Sequence, residues 1–294
     1  MFATACAVIG AGCVPRASRH RTASAASASG ANVDATASSS IQANTATLDP
    51  GAPSNGQFVL AWQDDFDKFD SSLWQLMTHS WDGNLAQFST TNAHVANGVI
   101  SIELKPEPNN RTKPYSGVEL RSIRTITYGK VEARIRFAQG SGVVSSLVAI
   151  YTPWPADDWN EIDFEHLGIG RNVLQTSCQV YTGPVMQKPV QKAVTPNRFE
   201  QKHRLDFNME RDFHIYSMEW MPTGVSFLVD GKLIRTWDKE ISRMRLPQNI
   251  LFTIWASGSA GWAGRINDSS VPTSAEMDWI KVYEYRRQQE TKVQ

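Results

Sequence analysis

Glu161, Asp163 and Glu165 stand at alternate positions in the run Trp159-Asn160-Glu161-Ile162-Asp163-Phe164-Glu165-His166-Leu167-Gly168, with the apolar Ile162 and Phe164 between them. Period two is the pattern of a β-strand whose faces meet different surroundings, so the three carboxyls share one face while Ile162 and Phe164 point into a core. Like charges in a row repel, and a strand selected for stability alone would carry Thr, Lys or Ser at some of these positions. Cα atoms four apart on a strand lie roughly 13 Å apart, and two Glu side chains each leaning inward by about 4 Å leave about 5 Å between their carboxyls. That separation suits a double displacement at a glycosidic carbon, in which one carboxylate attacks, the other protonates the leaving oxygen, and no water fits between them. Asp163, one methylene shorter, sits recessed, where it can hydrogen-bond one Glu and push the two pKa values apart. Whichever Glu serves as the acid is then expected to begin protonated, with the negative charges of its two neighbours holding its pKa up. The alternative is a solvated strand face without chemistry, because a bare Glu-x-Asp-x-Glu recurs by chance.

The flanking residues weigh against chance. With Trp-Asn before it and Leu-Gly after it, the run closely resembles the active-site strand of glycoside hydrolase family 16, the β-glucan hydrolases that include bacterial lichenases and plant xyloglucan-modifying enzymes. The resemblance implies that Glu161 is the nucleophile, Glu165 the general acid/base and Asp163 their assistant. The uninterrupted five-residue form resembles the lichenase and xyloglucan branch; the laminarinase branch carries one more residue before the last Glu.

The elements that must position these acids are strands. Residues 58–62, 94–104, 115–122, 128–137, 143–151, 173–177, 213–220, 250–255 and 277–285 carry alternating or continuous apolar patterns, with a Pro- and Asn-rich loop at 105–114. Tyr128 to Phe137 alternates strictly between apolar and charged, as a half-buried strand does. Val143 to Tyr151 is nearly all apolar, as a strand buried on both faces is. Asp230-Gly231 is the preferred turn between the strands 225–229 and 232–237. Residues 183–211 read as polar and irregular, no helix of convincing period appears, and neither phosphate-binding Gly loops nor His/Cys metal clusters are present. Many short strands predict an all-β sandwich, and the resemblance, which covers roughly residues 57–285, specifies a jelly roll with a concave substrate cleft.

The same resemblance supplies substrate contacts. Asn84, four residues before Phe88, falls where lichenases hold a sugar hydroxyl. Glu119 and Arg121 match a Glu-x-Arg bordering the family's cleft; without the resemblance they would be a surface ion pair of little worth. Trp159 and Trp255 match cleft positions, and Trp159 is favoured over Trp154 as a face for stacking on a pyranose. Ser177, Gln179 and Thr253 depart from the groups lichenases use there, so the catalytic centre is better specified than the polysaccharide. Asp278 falls where many relatives hold a structural calcium ion; otherwise it is a solvated Asp at a strand start. No cofactor is expected for catalysis.

Composition narrows the partners. The 29 basic and 29 acidic residues of this 294-residue chain cancel, leaving nothing to attract nucleic acid or an anionic membrane. A neutral β-glucan is the expected partner of a monomer. Residues 1–16 are expected to be a leader: Met1 to Pro15 form a short apolar run resembling a signal peptide, although Arg16, Arg19 and Arg21 follow it instead of preceding it. Cys13 after small residues resembles a lipoprotein processing site, so a lipid anchor is expected only if Cys13 is processed, and the destination is outside the cell or in its envelope. Residues 17–56 are an Ala/Ser-rich linker too poor in large apolar groups to fold. Residues 57–287 are then the catalytic domain and 288–294 a tail. With Cys6 and Cys13 in the leader, Cys178 is left alone in the domain as a buried strand residue, not a nucleophile. The function expected is endo-hydrolysis of β-glucan, at β-1,4 bonds of mixed-linkage β-1,3-1,4-glucan. A transglycosylase or exopolysaccharide depolymerase would use the same acids. A carbohydrate-binding sandwich is the rival from another class, but it would not need three repelling carboxylates. A chain starting at Ser54 should keep the melting temperature of the whole chain within about 2 °C, together with its activity, when the two are compared by calorimetry.

Overall fold

A computed structural model describes residues 56–152, 159–181 and 197–287. Trp154, Cys6, Cys13 and the leader, linker and tail up to Asn55 and from Gln288 lie outside the described residues. In chain order the strands are β1 (Gly56–Asp64), β2 (Trp74–Leu76), β3 (Ala86–Phe88), β4 (Ala93–Ala96), β5 (Val99–Pro106), β6 (Tyr115–Ile126), β7 (Gly129–Arg136) and β8 (Val143–Ile150). They continue as β9 (Trp159–Leu167), β10 (Val173–Tyr181), β11 (Asn197–Arg204), β12 (His214–Met221), β13 (Gly224–Val229), β14 (Lys232–Trp237), β15 (Gln248–Ala256) and β16 (Thr273–Arg287).

One layer runs β11-β10-β9-β8-β15-β6, with β2 also on β6; the other runs β5-β16-β7-β12-β13-β14, with β1 along β16 and β4 on β5. The layers join where Lys105 pairs with Ser116 and Pro106 with Tyr115, so the chain forms a nearly closed antiparallel jelly roll. Between the layers lies the core. Val118 and Leu120 of β6, Ile162 and Phe164 of β9, and Ile250, Phe252 and Ile254 of β15 all point into it. Phe164 meets Tyr216 and Phe227 of the opposite layer edge-on, with ring centroids 5.6 and 5.2 Å apart. Every residue of β15 is buried, because its outer face is also covered.

Two expectations need correction. Residues 94–104 are a hairpin rather than one strand: Asn97 and Gly98 adopt φ of 54° and 72°, the left-handed pair that turns β4 into β5. An Asn-Gly pair inside an otherwise regular alternation is the signal that should have divided it. The segment expected to be irregular contains β11, whose sequence NRFEQKHR is polar because it pairs only with β10 and lies at the end of its layer. The Asp230-Gly231 turn is as expected, with φ of 49° and 75°. Cys178 is fully buried, and desolvation pushes its thiol pKa well up, as suits an inert core residue.

Since Phe164 bridges the layers from the strand that carries the acids, truncating it removes core contacts at the centre of the site's support. Phe164→Ala should cost about 3–5 kcal/mol in urea unfolding, with activity lost in proportion to the unfolded fraction at low denaturant.

Candidate active site

Strand β9 lies between β8 and β10, and the ladder decides what each acid faces. Glu161 is opposite Gln179 and Ile150, Asp163 opposite Ser177 and Val148, and Glu165 opposite Gln175 and Ser146. Cross-strand partners share a face, so the row continues from Ser146 to Thr253 on β15 and on to Glu119 on β6. A second row leads from Asp163 through Val148 and Leu251 to Arg121. Two residues far from the acids in sequence thus reach the same outer face, about 14 Å away across three strand spacings.

Asp163 is 2% exposed. Its carboxyl is pushed well above the ordinary carboxylate range, first by burial and then by the charges of Glu161 and Glu165, against a hydrogen bond from Gln179 Nε2 to Oδ2 at 3.3 Å. Oδ1 is enclosed and meets no hydrogen-bond partner. Burial and the two flanking carboxyls therefore disfavour the charged form of Asp163. Gln179 is held by Tyr181, whose hydroxyl donates to Oε1 at 3.3 Å, and Tyr181 packs on Trp159 with ring centroids 4.6 Å apart. Glu165 Oε2 accepts from Gln175 Nε2 at 2.9 Å.

Glu119 is 4% exposed and takes Arg121 Nε on Oε1 at 2.8 Å and His79 Nε2 near Oε2 at 3.4 Å. Burial pushes the His79 pKa down; Glu119 opposes this and Arg121 reinforces it. Trp255 packs between Trp81 and Trp262, at centroid distances of 5.1 and 5.8 Å, and Phe88 lies 5.5 Å from Trp81. This aromatic cluster, with Val144, Leu167 and Val173, is separate from the main core and lies on the face of the acids. Asn84 sits beside it, almost fully buried, its Oδ1 accepting from Ala86 N at 2.7 Å and its backbone bridged to Ser257. Asn84 Nδ2 and Trp81 Nε1 are enclosed and meet no protein acceptor. Lys113 is spent on the carbonyl of Trp81, at 2.7 Å.

Asn84, Glu119, Arg121, Trp159 and Trp255 are therefore brought to the layer that holds the acids. Trp81, Trp262, His79 and Gln175 had not been singled out. Trp81 precedes an Asp82-Gly83 pair in a connection, and the roles of Trp262 and Gln175 depend on register between distant strands. Asp278 lies on the other layer, where its carboxylate accepts from Arg134 Nη1. Among the described residues no group of three or more His, Cys, Asp or Glu is arranged to hold a metal. With a guanidinium on its carboxylate, Asp278 does not fit a calcium site in this conformation, and no step of the chemistry is derived through calcium.

The raised Asp163 pKa has a sign. A carboxyl whose folded pKa exceeds its unfolded value stabilises the fold below the unfolded pKa, and that contribution is lost as pH rises through the folded pKa. Asn mimics the protonated form, with Oδ1 to accept from Gln179 and Nδ2 to donate to Glu161. Asp163→Asn should therefore melt higher than wild type near neutral pH, with the gap closing toward pH 4, while turnover falls; melting curves across that range check it.

Known proteins share these features. The family profile described as "Glycosyl hydrolases family 16" matches residues 74–281. A β-glucanase of Fibrobacter succinogenes is 33% identical over 181 residues, which cover 60% of this chain and 49% of that protein. A β-glucanase of Acetivibrio thermocellus is 30% identical over 227 residues, covering 74% of this chain and 61% of that one. The chain thus spans about half and about three fifths of these two relatives. A β-1,3-1,4-glucanase (lichenase) derived from a mouse hindgut metagenome superposes with a TM-score of 0.65 at 26% identity, over 76% of this chain and 98% of its own. Since the profile spans the greater part of the chain, from β2 through the acids of β9 and into β16, this protein belongs to glycosyl hydrolases family 16.

Proposed function

We propose that this chain is a retaining endo-β-glucan hydrolase whose substrate is mixed-linkage β-1,3-1,4-glucan, cut at β-1,4 bonds. The observation that carries the reading is the placement of Glu161 and Glu165 four residues apart on one outward face, with Asp163 buried between them. Glu161 attacks the anomeric carbon while Glu165 gives its proton to the glycosidic oxygen, so one C–O bond forms as the other breaks. Glu165, now ionised, takes a proton from water, and the resulting hydroxide oxygen displaces Glu161 with net retention. Asp163, whose raised pKa favours the neutral carboxyl, donates a hydrogen bond that steadies Glu161 as an anion.

The surroundings favour a neutral polymer. Trp81 is the partly exposed ring of the aromatic cluster with Trp255 and Trp262 on the face of the acids, a surface on which a pyranose can stack. Among the described residues, Arg121 is engaged with Glu119 and Lys113 with main-chain carbonyls, which leaves these two cations little charge to offer sulfate or carboxylate groups. The relatives are β-glucanases, and the uninterrupted acid motif resembles the lichenase branch.

Lichenan should be hydrolysed faster than laminarin, xyloglucan, agar, carrageenan or alginate; preferential release of reducing ends from carrageenan or alginate would overturn the neutral-glucan reading. Accumulation of longer oligosaccharides in place of hydrolysis products would instead favour a transglycosylase. NMR of the anomeric proton should show a first-formed β-product from the wild type. Glu161→Ala should be inactive until azide fills the vacated space and gives an α-glycosyl azide, and a first-formed α-product from wild type would exclude Glu161 as nucleophile.

A further inference from the structure

Gln175 stands directly opposite Glu165 in the β9–β10 ladder and is 2% exposed, so its amide must find its partners inside the protein. Its Oε1 accepts from Trp262 Nε1 at 3.0 Å, and its Nε2 donates to Glu165 Oε2 at 2.9 Å, with Ser177 Oγ a longer contact at 3.4 Å. An indole N–H can only donate, so this arrangement allows one orientation of the amide. Flipping it would set Oε1 against a carboxylate oxygen and the amide N–H against the indole N–H, two repulsive contacts in place of two hydrogen bonds. Trp262 is itself fixed. It lies on the single helical turn Ala260–Ala263, which Gly142 N ties down by donating to Ala263 O at 2.9 Å, and its ring packs on Trp255.

From this chain of contacts we infer that Gln175, oriented by the Trp262 N–H, is a positioning residue that fixes which oxygen of Glu165 carries the transferred proton. The inference rests on Glu165 being the general acid/base. An oxygen that accepts a hydrogen bond is preferentially the carbonyl oxygen of a carboxylic acid, so Oε2 stays unprotonated and the proton is confined to Oε1. No bond is made or broken by Gln175. It selects one protonation isomer of the acid and, after proton transfer, donates to the carboxylate that remains.

Two variants test this without dismantling the strand: Gln175→Met, close in shape but without the amide, and Trp262→Phe, which keeps an aromatic ring and removes only the N–H. Both are compared with wild type and Glu165→Ala on lichenan and on a 2,4-dinitrophenyl β-glycoside of a gluco-oligosaccharide, whose departure needs no proton. Gln175→Met should lose at least tenfold in kcat on lichenan with KM within about twofold, and less than threefold on the activated glycoside. Because the lost donor favoured the ionised form, the basic limb of its kcat–pH profile should move to higher pH even as the rate falls. Trp262→Phe should show the same pattern more weakly. Equal losses on both substrates with an unmoved basic limb would show Gln175 to be structural and overturn the inference. If Gln175→Met does not fold, the same two readouts on Trp262→Phe decide. Glu165→Ala tests the reading on which the inference rests: it should lose about 10²–10⁴-fold on lichenan but still release dinitrophenolate from the activated glycoside in a first-turnover burst, and absence of that burst would refute the acid/base reading itself.

Discussion

The site depends on one constraint, that a β-strand has two faces and β9 must satisfy both. Ile162 and Phe164 are buried against the opposite layer, and that burial holds Glu161, Asp163 and Glu165 outward at fixed spacing. A slip of one residue would expose Phe164 and sink the acids into the core, so the hydrophobic contacts with Tyr216 and Phe227 also set the chemical register. Stability and catalytic geometry therefore have the same source. Pairing on both sides of β9 makes its backbone rigid, which precise placement of reacting groups requires.

Electrostatics in the row run against stability and toward function. A dry carboxyl between two others is a poor choice for a fold, and the Asp163 pKa is pushed up in consequence. Around it the ladder supplies neutral amides: Gln179 donates to Asp163 and Gln175 to Glu165, each amide fixed by an aromatic donor, Tyr181 or Trp262. Amides tune proton positions without adding charge, so the acids interact with one another and with substrate in place of a counter-ion. Farther along the face, Glu119 is treated differently. It receives Arg121 and His79 and is held as an ordinary buried acceptor of hydrogen bonds.

The aromatic cluster shows how the edges of the sandwich serve the middle. Trp81 and Trp262 lie in connections, Trp255 on β15, and they meet only because Gly258 N reaches Gly83 O at 3.0 Å and Ser257 N reaches Gly142 O at 2.8 Å. These few main-chain bonds tie three loops over the end of the sheet beside the acids. Trp262 has a double part in this arrangement, as a ring face and as the donor that orients Gln175.

The all-β class, the acid strand and most strand positions were legible in the sequence because each is written in short-range period, as in Tyr128 to Phe137 or in the run around Asp163. The Asp230-Gly231 hairpin was legible for the same reason, since a turn dipeptide is a local signal. Glu119, Arg121 and Trp255 were reached by resemblance, and only their registers through Thr253, Leu251 and Val144 brought them to the face of the acids. The polar strand β11 and the hairpin at Asn97-Gly98 were misread, since an edge strand needs no apolar stripe and an alternating pattern can continue through a tight turn. The raised pKa of Asp163 and the pairing of Gln175 with both Glu165 and Trp262 had no signature in the order of residues. Burial and hydrogen-bond direction are properties of neighbours in space, and those neighbours come from strands that only the folded sheet sets side by side.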